Sequence, residues 1–192
     1  MATRAIAMSD SVTAKLKELA ARAHGTVQVG FIDSDQAPIA FWNEFGHSGR
    51  FPAPARPFFR TMVASESGKW PGMMAAELKA SGMDGHKTLA FMGEEIDGAL
   101  KQSIVDLTSP PLSKTTLRLR FKFGNNPQNI RARDVIQAQR DVAKGRKNLG
   151  MASGTQAEPL IWTGDMLNST GYQVSNGDVM VLNTKTNEYE AR

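Results

Sequence analysis

Three prolines within six residues, Pro52, Pro54 and Pro57, restrict this chain more than any other feature of its sequence. They lie in FWNEFGHSGRFPAPARPFFR (41–60), a window dense in aromatics, glycines and arginines. Each proline ring fixes φ and biases the preceding residue toward extended backbone, so Arg50 to Arg56 is expected to be a stiff, extended strap. Before it, the spacing of Phe41, Trp42 and Phe45 predicts a helical turn with Phe41 and Phe45 on one face, stopped by Gly46. After it, Pro57 is placed to open a helix with Phe58, Phe59, Met62 and Val63 as its buried stripe. Stiffness lowers the ordering cost of binding, and Arg50, Arg56 and Arg60 beside prolines and aromatics match the residue types enriched at protein interfaces. The competing reading is an aromatic loop that caps its own core.

The flanking sequence reads as alternating helices and short strands. Ser9 or Asp10 can cap a helix carrying Val12, Leu16, Leu19 and Ala23 and ending at Gly25. TVQVGFI (26–32) alternates Val27, Val29 and Phe31 on one face, as a half-buried strand does. Asp33 to Ala37 is a polar turn, and Pro38 can open the next helical turn. Ser67-Gly68 and Trp70-Pro71-Gly72 interrupt the chain before a short helical piece over 73–80. Between Lys87 and Leu107, apolar residues recur every three or four positions, predicting the longest amphipathic helix. Gly93 and Gly98 within it weaken the helix and imply close approach of another backbone. Glu94, Glu95 and Asp97 are assigned to its solvated face.

TSPPLS (108–113) ends that helix, and Ser113 can cap a turn at Lys114 to Leu117. LRLRFKF (117–123) alternates apolar and basic residues, which predicts a strand with one cationic face. Gly124-Asn125-Asn126-Pro127 is a turn signal, residues 130–147 suit a helix with a thin apolar stripe, and NLGMASGTQA (148–157) reads as a mobile linker. Thr163 can cap a short helix over 164–168. Asn176-Gly177 is the best hairpin signal, joining Tyr172–Val174 to Val179–Leu182. The last eight residues, KTNEYEAR, are expected to fray. Three strands with helices between them imply an α+β fold, a small antiparallel sheet covered on one face by helices.

Composition narrows the functional classes. A chain of 192 residues with 41% hydrophobic content can bury one sizeable core. No run approaches the roughly 18 apolar residues of a membrane span, and the N-terminus lacks a signal-peptide core, so a soluble protein of the cytoplasm is expected. The absence of cysteine excludes disulfides, thiolate metal sites and a cysteine nucleophile. His24, His47 and His86 stand far apart, no phosphate-cradling glycine motif is present, and no cofactor or catalytic constellation can be assembled. A small hydrolase is the weakest reading for that reason. The net charge of +4 is concentrated: from Lys114 to Lys147 ten Lys/Arg face two acids, Asp134 and Asp141.

Four motifs in order carry a resemblance: N-E-F-G (43–46), PARPFFR (54–60), PPLS followed by Thr115-Thr116 (110–116), and PLIWTGDMLNST (159–170). Together they resemble the neck, or tail-completion, proteins of long-tailed bacteriophages, over most of residues 26–182. The resemblance implies a non-catalytic structural subunit of a homo-oligomeric ring, typically hexameric, in the virion neck, made in the host cytoplasm. Its neighbours would be the head connector and the tail-terminator or tail-tube proteins. On that reading Phe41, Trp42, Phe45, Arg50, Phe51, Arg56, Phe58, Phe59 and Arg60 form the subunit or ring interface.

This sequence departs from that pattern by separating its last two motifs. The intervening span, 119–158, reads as a basic insertion or arm on a core made of 1–118 and 159–192. The arm is expected to carry Arg118, Arg120, Lys122, Arg131, Arg133 and Arg140 toward DNA phosphates in the ring lumen or toward an acidic surface, since phosphate contact requires charge but no base-reading code. The alternative from another class is a nucleic-acid-binding module built on 114–147, with Phe121 and Phe123 stacking on bases.

Overall fold

The computed structural model describes residues 14, 15, 17, 18, 25–50, 52–124, 126–145, 149–174, 179–183, 186 and 188–191. Residues 14, 15, 17 and 18 are helical, and the rest of the helix expected before Gly25 lies outside the described residues, as does the Asn176-Gly177 turn.

Strand β1 (Val27–Gly30) pairs antiparallel with β2 (Gly171–Val174), Val27 opposite Val174 and Gly30 opposite Gly171. Next comes β3 (Val179–Asn183), then β4 (Glu188–Ala191), completing an antiparallel sheet in the order β1-β2-β3-β4. The fold is α+β. Its fourth strand corrects the expectation of a frayed C-terminus: β4 supplies one inward residue, Tyr189, whose ring meets Tyr172 edge-on at 5.1 Å. A single aromatic anchor is too little for a periodicity argument to register.

Seven α-helices are described: α1 (Ala37–Phe45), α2 (Phe58–Glu66), α3 (Trp70–Ala80), α4 (Gly85–Asp106), α5 (Lys114–Phe123), α6 (Ala132–Ala143) and α7 (Asp165–Asn168). The long α4 ties the molecule together. Capped by the Asp84 carboxylate, which accepts from the Lys87 amide at 3.1 Å, it runs across β1 and β2. Its first half packs Leu89 with Tyr172 and Val174, while Leu100 and Ile104 of its second half join Phe58, Met62, Leu160 and Met166. Gly93 makes the first contact possible, because a Cβ there would lie 2.4 Å from the Tyr172 ring. Gly98 has nothing within 4 Å, and what lies closest to Gly93 is a side-chain ring rather than the backbone expected there.

Three further expectations are corrected here. LRLRFKF is helix α5, not a strand: Ser113 Oγ accepts from the Thr116 amide, Gly124 closes the other end with φ +54°, and Leu, Arg and Lys are good helix formers. Asp97 does not face solvent but is completely buried, at a helical spacing that sets it between Gly93 and Leu100 on the apolar stripe. The segment after α6 is held against α5: Ala152 N–H donates to the Leu117 carbonyl at 3.0 Å, and Gly150 sits against the Phe121 ring. Helix α5 runs without a break from Lys114 to Phe123.

Candidate functional site

The 41–60 window builds the most exposed apolar surface described. Helix α1 turns Ala40 and Glu44 inward and leaves Phe41, Trp42 and Phe45 exposed at 59, 54 and 52%. These are large areas for aromatic side chains. The Phe41 and Phe45 rings lie 4.7 Å apart, and the Arg60 guanidinium sits 4.9 Å from the Phe45 ring. Between α1 and α2 an open, almost wholly apolar groove of about 220 Å³ is lined by Phe31, Phe41, Phe45, Phe58 and Phe59, with Glu44 and Arg60 at its polar end.

Local chemistry explains how this edge is held. Gly46 ends α1 with φ +72°, and a Cβ there would meet Ala55 N at 2.7 Å and Ala53 O at 2.9 Å, so only glycine lets the chain fold back this closely. His47 and Ala53 then exchange two backbone hydrogen bonds of 3.0 Å, and Arg56 N–H donates to Asn43 O at 2.7 Å. The proline segment is therefore tied back along α1 by backbone hydrogen bonds on both sides of Pro54. Glu44, which the sequence reading did not single out, is the organising residue. Its carboxylate accepts from the backbone amides of Phe59 (2.9 Å) and Arg60 (3.2 Å) and from Arg60 Nε (2.7 Å), capping α2 from another helix.

The structure divides the expected interface residues. Phe41, Trp42, Phe45, Arg50 and Arg60 are exposed, and Phe59 is half-buried. Phe58 and Arg56 are buried and cannot meet a partner directly; Phe58 is core, and Arg56 Nε donates to the Pro110 carbonyl at 3.2 Å, with burial lowering the pKa of its guanidinium. Phe51 lies outside the described residues.

The expected DNA-facing residues divide as well. Arg131, Arg133 and Arg140 are exposed. Lys122 is exposed but paired with Asp134 at 3.0 Å, and Arg118 donates to the Gly150 carbonyl at 3.3 Å. Arg120 is a correction: only 5% exposed, it donates to the carbonyls of Gln156 (2.9 Å), Glu158 (2.6 Å) and Pro159 (3.0 Å). Its guanidinium stacks 5.1 Å from the Trp162 ring, and Trp162 Nε1 donates to Gly124 O at 2.6 Å. Desolvation, with a smaller contribution from nearby Arg56, lowers the pKa of Arg120 to about 10. It pins the returning chain to α5 and takes no part in a surface.

No family model, curated protein or solved structure matches this chain. Its chemistry is read from its own residues. Among those described, no group of three or more His, Asp or Glu is arranged to hold a metal ion, and no helix is long and apolar enough to cross a membrane. The buried polar cluster that sequence reasoning missed joins α4 to the sheet: Asp97 accepts from Lys101 and from Tyr189 Oη (2.6 Å), and Tyr172 Oη donates to Glu94 at 3.1 Å. Desolvation foremost, then the neighbouring carboxylates, pushes the Tyr172 phenol up to about 12 and the Tyr189 phenol up as well. Asp97 and Lys101 four residues apart on the apolar stripe were the available signal. The cluster has the character of a structural clamp between helix and strand.

Proposed function

We propose that this chain is a structural subunit of a bacteriophage neck, one of the copies of a ring, hexameric by resemblance, that completes the tail and joins it to the head connector. The observation that carries this reading is the exposed row Phe41, Trp42 and Phe45 beside an apolar groove, in the segment whose motifs carry the resemblance. A row of this kind is stabilised when another protein covers it. Ring closure needs head-to-tail contacts between two different faces of each subunit, and a ridge of aromatics supplies one such face. The role is mechanical rather than catalytic: Glu44 and the tied-back proline segment hold the ridge rigid, so little ordering entropy is lost on docking.

The test uses virions of the phage that carries this gene. Labelling should place the chain at the head–tail junction, and a Phe41→Ser, Trp42→Ser, Phe45→Ser variant should fold normally yet leave filled heads and tails unjoined. Tailed, infectious virions that lack the chain, or that form equally well with the triple variant, overturn the proposal.

A further inference from the structure

Helix α6 carries a second surface. Asp134 and Asp141 are the only acids in the basic segment, and both are drawn away from α6's outer side. Asp134, half-buried, bonds Lys122 and the Arg131 amide; Asp141 is buried and accepts from Gln137 at 2.9 Å. The apolar residues Val135, Ala138 and Val142 lie on the packed side, Ala138 fully buried, with α6 against α5. What remains outside is Arg133, Arg140 and Lys144, all exposed, with no ion pair to any acid among the described residues. Separations of seven and four residues put these three side chains within one narrow stripe, about 10 and 6 Å apart along the axis. Like charges in such a row repel one another, and an anionic partner relieves that repulsion.

We infer that the outer stripe of α6 binds the phosphate backbone of double-stranded nucleic acid without reading its sequence. The stripe contains no aromatic residue to stack on unpaired bases and no apolar edge to enter a lipid surface, whereas a duplex offers the dense, regular line of charge that a row of cations matches. This binding goes beyond the ring reading and would stand if that reading failed, because it needs only α6 held on α5.

The experiment is fluorescence anisotropy of a short labelled DNA duplex of mixed sequence with the purified full chain across a salt series. Three phosphate contacts should lower affinity roughly 40-fold between about 50 and 200 mM salt. Arg133→Gln with Arg140→Gln should weaken binding at low salt and flatten the slope by about two contacts, with the circular-dichroism melt unchanged because both side chains are exposed. Lys79→Gln with Lys87→Gln, an equal loss of charge on other helices, should leave the slope intact. The inference is overturned if the two double variants behave alike, if a single strand binds as tightly as the duplex, or if polyglutamate competes as well as duplex at equal charge, which would mark an acidic protein as the partner.

Discussion

Glu44 Oε1 accepts the Arg60 Nε–H at 2.7 Å while the same carboxylate caps the amides of Phe59 and Arg60, so the glutamate of N-E-F-G and the last arginine of PARPFFR meet in one buried-to-exposed pair. The pair is asymmetric: the Glu44 side chain is 7% exposed and that of Arg60 58%. Most of its structural value lies on the glutamate side, where removal would strand two helix-terminal amides.

Glu44→Ala should therefore destabilise the chain by about 2–4 kcal/mol, and Arg60→Ala by about 1 kcal/mol or less, measured as shifts in urea midpoint at constant slope. Equal losses for the two variants would contradict the capping role.

The two interior glycines of α4 separate close approach from tolerated weakness. Gly93→Ala drives a methyl into the Tyr172 ring and should cost about 1–3 kcal/mol, whereas Gly98→Ala, with open space around it, should stabilise by about 0.5–1 kcal/mol. Thermal melts of the two single variants decide this.

Alkaline unfolding should report the tyrosine clamp. Tyr172 and Tyr189 have phenol pKa values raised in the fold, so the folded chain holds protons that the unfolded chain releases from about pH 10. Their contribution to stability is complete below pH 10 and lost as pH rises toward and through about 12 for Tyr172, with Tyr189 losing its share over the same range and above. Urea midpoints followed from pH 8 upward should fall more steeply in the wild type than in Tyr172→Phe with Tyr189→Phe. Parallel curves would place the alkaline transition elsewhere.

Arg120 is expected to act on stability and not on nucleic-acid affinity. Arg120→Met strands three carbonyls and should cost about 2–4 kcal/mol, and Arg120→Lys should recover only part of this because an ammonium cannot match the planar fork. Duplex affinity of whatever fraction remains folded should change less than twofold.

Elements with strong periodicity or capping chemistry were legible in advance: β1 from the alternation Val27, Val29, Phe31; the stop at Gly46; α4 from its three-to-four spacing; and Ser113 as a cap. LRLRFKF misled because its strict alternation has the period of a strand, whereas the chain buries the adjacent pair Leu119 and Arg120 and the capping residues on either side outweigh the alternation. In the candidate site, the shared face of Phe41 and Phe45 and the burial of Phe58 in the stripe of α2 followed from their sequence positions, while the burial of Arg56 and Arg120 did not.

Local signals in this chain mark many of its helix ends and turns, because caps, glycines and prolines act on backbone a few positions away. Only tertiary structure decided which cations face water. Arg120 and Arg133 are alike in type and belong to one basic segment, yet one is consumed by three carbonyls and the other stands outside. That difference depends on the returning segment 149–160 packing on α5, a contact between residues more than thirty positions apart that no local pattern encodes.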